Sequence, residues 1–203
     1  MSKLPPRDTK VRENMIPDEE LNLSAEVQAL KQGELIVYPT EAVWGIGCDP
    51  KNVEAVTGLL KAKQRPLEKG LILIAKDYSQ LLGFIDDNKI PTHRRAEVLS
   101  SWPGAVTWLL PAAKSTPDWL TGGSELIAVR VTNHPTVRRM CEEFSGAIVS
   151  TSANITGTET STQLSEIKQV FKQQVSVYVD EPLGGNRQAS TIINSITGQV
   201  LRG

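Results

Sequence analysis

Four cations crowd into the decapeptide KAKQRPLEKG, where Lys61, Lys63, Arg65 and Lys69 run up to an apolar stretch, LILIA, that reads as a buried strand. Such a cluster either decorates a helix C-terminus, where the macrodipole favours cations by a few tenths to about 1 kcal/mol, or receives a strongly anionic ligand. Arg65 stands directly before Pro66, which pushes it towards an extended conformation. A guanidinium on so stiff a backbone suits two oxygens of one phosphate or carboxylate. If the chain passes from helix to coil near Lys63, Lys63 and Arg65 share a side and converge. A second constellation, STSANITG, places Ser150, Ser152 and Asn154 on one side of an extended segment, offering two hydroxyls and an amide to a polar ligand. The competing reading is a turn whose Ser and Asn satisfy their own backbone. A third, YPTEAVWGIG, runs a strand into Thr40 and then Gly45 and Gly47. Neither GxGxxG nor a GxxxxGK[ST] loop is present, so the chain has no standard nucleotide motif.

Short β-rich runs predict the strands that must position these groups: Leu35–Tyr38, Leu71–Ala75, Val106–Leu110, Ile127–Val131, Ala147–Val149, Val175–Val179 and Thr191–Ile193. Helical periodicity falls between several of them, over Ser24–Gln32, Val53–Lys63, Thr92–Ser101, Pro135–Phe144 and Ser165–Gln173. GAVTWLLP and LIAVRV follow one another across a loop rich in Pro, Gly and Ser, which breaks strict βαβ alternation. The expected fold is α/β, a single-domain, twisted, open mixed sheet with helices packed on it. STSANITG then lies at a strand end, where such sheets bind ligands.

A chain of 203 residues fits one domain that buries about 70% of its unfolded surface. With 22 Lys and Arg against 23 Asp and Glu, nucleic-acid contact requires a local patch, such as Lys61 to Lys69. Cys48 and Cys141 form no CxxC, and His93 and His134 are too few to complete a zinc site. Both cysteines and both histidines read as structural, and the cysteine usage suits a reducing compartment. No apolar run reaches the roughly 20 residues that span a bilayer, and the N-terminus lacks the apolar core of a signal peptide, so the expectation is a cytoplasmic protein without membrane contact. Residues 1–20, charged and proline-bearing, read as a flexible tail before a catalytic domain over 21–203, and Met15 is a second candidate start.

Six blocks in order, YPTEAVWGIGCDP, KAKQRPLEKGLILI, WPGAVTWLLPA, AVRVTNHP, STSANITG and the terminal STI…LRG, resemble the YrdC/TsaC family of threonylcarbamoyl-AMP synthases, in its short, single-domain form. The likeness runs from Leu23 to Gly203. Ala42 and Trp44 stand where many relatives carry Thr and Tyr, a difference that bears on pocket shape. The resemblance implies synthesis of threonylcarbamoyl-AMP and pyrophosphate from L-threonine, bicarbonate or CO2, and ATP as substrate, with Mg2+. The product serves threonylcarbamoyl-adenosine modification of ANN-decoding tRNAs through downstream transfer proteins, and a monomer is expected. The family's Lys-x-Arg…Ser-x-Asn tetrad falls on Lys63, Arg65, Ser152 and Asn154 as catalytic and ATP-binding residues. Lys61, Thr160 and Arg202 match the ATP side, and Thr40, Arg130, Ser150 and Ser190 the threonine side. Lys69 also falls at the site, without an assigned role, and the metal ligands stay unknown.

On that reading Lys63 and Arg65 meet phosphate and carbamate charge, Ser152 and Asn154 position the nucleotide, and Arg130 clamps the threonine carboxylate. The competing function is an RNA-binding module for tRNA or rRNA, whose basic groove around Lys61, Lys63, Arg65 and Lys69 catalyses nothing. Threonine-dependent pyrophosphate release separates the two.

Overall fold

The computed structural model describes residues 23–186 and 188–202. The tail expected over residues 1–20 lies outside them. One nine-stranded sheet organises the chain: β1 (Ile36–Pro39), β2 (Trp44–Gly47), β3 (Ile72–Ala75), β4 (Val106–Pro111), β5 (Leu126–Val131), β6 (Ile148–Ser152), β7 (Val177–Tyr178), β8 (Thr191–Asn194) and β9 (Val200–Arg202). Their order is β7-β1-β2-β6-β3-β5-β4-β8-β9, and the pairs β1/β7, β3/β5 and β4/β8 are parallel while the others are antiparallel. This is the mixed α/β sheet that the broken βαβ alternation called for.

Among the described residues six α-helices accompany it: α1 (Ala25–Lys31), α2 (Val53–Ala62), α3 (Thr92–Ser100), α4 (Asp118–Thr121), α5 (Pro135–Glu143) and α6 (Leu164–Phe171). Strand alternation sends neighbouring residues to opposite faces. Val37, Leu73 and Val149 enter the larger core with Val56 and Leu59 of α2 and Ile167 and Phe171 of α6. Ile36, Ile74 and Ile148 enter the smaller core with Val27 and Leu30 of α1 and Val137 and Met140 of α5. Each fully buried aliphatic side chain contributes about 1.5–3 kcal/mol, so both faces are held by strong apolar contact.

Two strands and one short helix were not expected. In β2, Gly45 and Gly47 carry no side chain to show a strand pattern. Their bareness makes room for Tyr38: a Cβ at Gly45 would lie 3.0 Å from the Tyr38 ring, and one at Gly47 would overlap the Val149 carbonyl. Tyr38 is fully buried there, and its hydroxyl donates to the Val149 carbonyl at 3.1 Å. The GxG is therefore a packing gap. β9 is three exposed residues paired only with β8 among the described elements. The strand expected at Ala147–Val149 continues to Ser152, which carries the Ser residues into the sheet, while Val175–Val179 shrinks to Val177–Tyr178.

Candidate active site

Helix α2 delivers the cationic segment. Asn52 caps its start, its side chain accepting from Glu54 N and Ala55 N at 3.0 Å each. Its end is a turn rather than the extended run expected for Lys63 and Arg65. Gln64 adopts φ +49°, with Gln64 N donating to Lys61 O at 3.1 Å and Arg65 N to Leu60 O at 2.8 Å. This paired closure is a Schellman motif. It turns Lys63 inward and Arg65 outward, so the two do not converge by strand alternation.

Lys63 is 1% exposed, and its Nζ donates to the carbonyls of Ser152 and, at 2.7 Å, Asn154. Burial and the neighbouring Arg65 charge pull its pKa down to about 7. The amine thus fastens the loop after β6 from behind. Thr156 N donates back to Lys63 O at 2.9 Å. Arg65 points its fork at the turn over residues 67–70: Nε and Nη2 donate to Gly70 O at 3.1 and 2.8 Å, and Nη2 to Lys69 O at 3.2 Å. Its Nη1 makes none of these bonds.

A cleft of about 400 Å3 opens in front of these elements. Thr40, Arg65, Arg130, Ser150, Ser152, Ser190 and Arg202 line it together with Lys69. Its walls come from the β1–β2 turn, residues 65–72, β5, β6, residues 188–190 and β9. Among the described residues the cations Arg65, Lys69, Arg130 and Arg202 line it with two acids, Glu41 and Glu68. Thr40 closes its own turn, with Oγ1 donating to Val43 O at 2.6 Å. Ser190 Oγ lies 2.8 Å from Thr107 Oγ1, and Arg202 Nε and Nη2 donate to Ser190 O at 3.0 and 2.9 Å. Burial of the guanidinium and the charge of Arg130 both lower the Arg202 pKa, so Arg202, expected on the ATP side, stands beside Arg130, expected on the threonine side, in one part of the cleft.

Arg130 is 7% exposed and pairs with Glu41, Nη1 to Oε2 at 3.2 Å. Burial works to raise the Glu41 pKa, but Arg130 and the Thr132 hydroxyl outweigh it and hold the carboxyl below its usual value. Glu41 escaped the sequence reading although it follows Thr40 directly. Its being the only acid in YPTEAVWGIG was the available signal.

Four expected site residues stand outside the lining. Lys61 is on the exposed face of α2, in a separate shallow groove with Glu34 and Glu54, outside the cleft that Arg65 lines. Lys63 sits behind the wall, and Thr160 is in the loop beyond β6. Asn154 Nδ2 donates to Ile155 O at 3.0 Å and Thr158 O at 2.6 Å, the self-satisfying turn that the spacing had left open. Cys48 and Cys141 are free and buried, and burial pushes the Cys141 thiol up to about 12. His134 is buried with Nε2 3.1 Å from Pro182 O, while His93 lies exposed on α3. Among the described residues no group of three His, Cys, Asp or Glu could hold a metal ion, and no helix is long and apolar enough to cross a membrane.

The profile of the Sua5/YciO/YrdC domain, described as telomere recombination, matches residues 28–203. The chain belongs to the Sua5/YciO/YrdC family. Within that family it is 59% identical over 181 residues to a threonylcarbamoyl-AMP synthase of Pseudoalteromonas translucida (strain TAC 125), covering 89% of this chain and 97% of the relative. It is 44% identical over 180 residues to the threonylcarbamoyl-AMP synthase of Yersinia enterocolitica, covering 89% of this chain and 94% of the relative. Two solved family structures share the fold. The P. abyssi Sua5 complexed with L-threonine superposes with a TM-score of 0.77 at 28% identity, covering 83% of this chain and 49% of that one. E. coli YciO gives 0.77 at 25% identity, over 87% of this chain and 86% of that one. This chain thus spans about half the length of the P. abyssi protein and nearly all of its bacterial synthase relatives.

Proposed function

We infer that this Sua5/YciO/YrdC protein is an L-threonylcarbamoyladenylate synthase, joining L-threonine, CO2 or bicarbonate, and ATP into threonylcarbamoyl-AMP and pyrophosphate. The observation that carries the reading is a single cleft with cations at two ends, Arg65 with Lys69 and Arg130 with Arg202, in a chain 59% identical to a synthase of that name. The chemistry asks for two anions to be held against each other. The neutral threonine amine bonds to the carbon of CO2, the electron pair of one C=O π bond moves to its oxygen, and a nitrogen proton passes to solvent, which yields the carbamate. A carbamate oxygen then bonds to the α-phosphorus of ATP, the bond from that phosphorus to the bridging oxygen breaks, and pyrophosphate leaves with the electron pair.

No protein nucleophile enters this sequence, so catalysis is orientation and charge neutralisation. Arg130 receives the threonine carboxylate, with Thr40, Ser150 and Ser190 around it. Arg65 and Lys69 meet the phosphates, and Ser152 offers its hydroxyl between the two ends. Lys63 and Asn154 act one layer back by holding the loop that follows Ser152. Lys61 and Thr160 have no place in this arrangement. Mg2+, an ion held mainly by substrate phosphates and water, would enter with the ATP. The threonylcarbamoyl group then passes to tRNA through other proteins.

An RNA-binding module without catalysis fits less well, because Lys61 is separated from the cleft and Arg130 is too deeply buried to meet a polymer backbone. Mass spectrometry of products from ATP, threonine and bicarbonate tests the reading. Pyrophosphate and threonylcarbamoyl-AMP appear only with all three present; pyrophosphate release without threonine would sink it.

A further inference from the structure

Strand β4 carries one hydroxyl, that of Thr107, in VTWLLP. Ala105 and Leu109, two residues to either side, line the cleft, and strand alternation puts Thr107 on their side of the sheet. Thr107 is nevertheless 0% exposed, with its Oγ1 2.8 Å from Ser190 Oγ. Ser190 is held over it by the parallel pairing of β8 with β4, in which Thr191 N donates to Ala105 O at 3.1 Å. Arg202, expected on the ATP side, grips the same serine: Nη2 donates to Ser190 Oγ at 3.1 Å, and Nε and Nη2 donate to its carbonyl at 3.0 and 2.9 Å.

These contacts fix which way the Ser190 hydroxyl points. A serine oxygen has one proton to give and two lone pairs to receive with, and a guanidinium only donates, so Arg202 fills one lone pair. Thr107 either gives its proton to Ser190 or takes the serine's. Among the described residues the Thr107 hydroxyl has no other hydrogen-bond partner, so taking would strand its own proton in the interior. Giving leaves only spare lone pairs on Thr107, the lesser penalty for a buried group. Thr107 therefore donates, both lone pairs of Ser190 are filled, and the serine proton is left for the cleft that Ser190 lines. A hydroxyl so held meets a carboxylate oxygen and turns away an ammonium group, which also only donates. We propose that Thr107 is a positioning residue that acts through Ser190: it makes Ser190 a fixed donor, so that the amino acid docks there by its carboxylate and not by its amino group. The proposal rests on reading Ser190 as a threonine-side residue of a synthase.

The test is calorimetric titration of L-threonine and, separately, of ATP into the full chain, as wild type, Thr107→Val, Thr107→Ser, Ser190→Ala and the double variant Thr107→Val with Ser190→Ala. Valine keeps the shape of threonine and removes the hydroxyl. Ser190 then regains rotational freedom that binding must remove, and its proton loses the polarisation that an incoming donor supplies. Thr107→Val should bind threonine about threefold more weakly or worse, with ATP affinity within about twofold of wild type, and Thr107→Ser should restore threonine binding. Ser190→Ala should lose about tenfold or more for threonine, and adding Thr107→Val to it should cost nothing further. Unchanged or tighter threonine binding in Thr107→Val overturns the proposal, because Ser190 would then give its proton to Thr107. An equal loss in the Ser190→Ala background, an equal loss for ATP, or no rescue by serine also overturns it, since a packing defect would act in that way. If Thr107→Val does not fold, Thr107→Ala takes its place in the same cycle. Wild-type binding of threonine by Ser190→Ala overturns the proposal while synthesis of threonylcarbamoyl-AMP by the wild type keeps the synthase reading. A wild type that makes no product defeats that reading, and the cycle on threonine affinity still decides whether Thr107 acts through Ser190.

Discussion

Replacing Lys63 with methionine separates two opposing forces on one buried amine. Burial and Arg65 pull its pKa to about 7 from an ordinary 10.5, while the Ser152 and Asn154 carbonyls favour the ammonium form. Between those two pKa values the folded chain binds fewer protons than the unfolded one, so this lysine makes stability rise with pH from about 7 towards 10.5. At pH 7, holding the amine in its buried setting costs on the order of 4 kcal/mol, and at pH 9.5 roughly 1 kcal/mol. Methionine, similar in length and adaptable in packing, removes that cost and leaves two carbonyls without a donor, at about 1–3 kcal/mol each. At pH 7 the variant should therefore unfold within about 2 kcal/mol of wild type. The decisive quantity is the pH trend: wild type should gain about 3 kcal/mol on the variant between pH 7 and 9.5. Denaturant unfolding at several pH values, read by the linear extrapolation, measures it. Parallel curves for the two proteins would refute the argument, because they would mean that the carbonyls win and Lys63 keeps an ordinary pKa.

Arg65→Lys should lower kcat/KM for ATP nearly as far as Arg65→Ala, by about 2–4 kcal/mol at the transition state, because a lysine cannot hold both Gly70 O and Lys69 O while facing the cleft. Near wild-type kinetics in Arg65→Lys would show that charge alone suffices. Gly47→Ala should destabilise by about 3 kcal/mol and lower Tm by roughly 6–12 °C, since its Cβ would overlap the Val149 carbonyl; calorimetry showing an unchanged Tm would mean β2 shifts without strain. Cys48→Ser and Cys141→Ser should stay active, and intact-protein mass spectrometry should find no AMP adduct, because both thiols are buried and no nucleophile is needed. An adenylylated protein would require a different mechanism.

Local signals in the chain announced much of this molecule. Helix α5 was legible because Pro135 opens it and Val137, Met140 and Cys141 keep helical spacing. The mixed sheet followed from two strands separated only by a loop rich in Pro, Gly and Ser, into which the structure fits no more than the four-residue α4. What was hidden depends on contacts between distant residues. Lys63 reaches carbonyls 89 and 91 positions away, and a carbonyl has no residue type by which to find it. Glu41 takes its hydrogen bond from a threonine 91 positions away. The residue types in KAKQRP pointed to an anion site, but the path of its backbone did not show, because the left-handed position at its turn is filled by Gln64 rather than the usual glycine. In STSANITG, Ser150 and Ser152 line the cleft, while Asn154 closes its own loop.

The strand that carries Arg202 has three exposed residues, one neighbouring strand and an irregular register at Ile192 and Ile193. Such an edge opens by local fraying, at a free energy far below that of global unfolding. The cleft is thus walled partly by the buried middle of the sheet, at Arg130 and Ser150, and partly by its least protected edge. Amide hydrogen exchange should divide the two, with Val129 and Val149 among the slowest to exchange and Val200 to Arg202 among the fastest. The fraction of molecules with a complete cationic end is then set by the closing of β9, so a ligand that bridges Arg130 and Arg202 slows exchange in β9 while leaving the core unchanged.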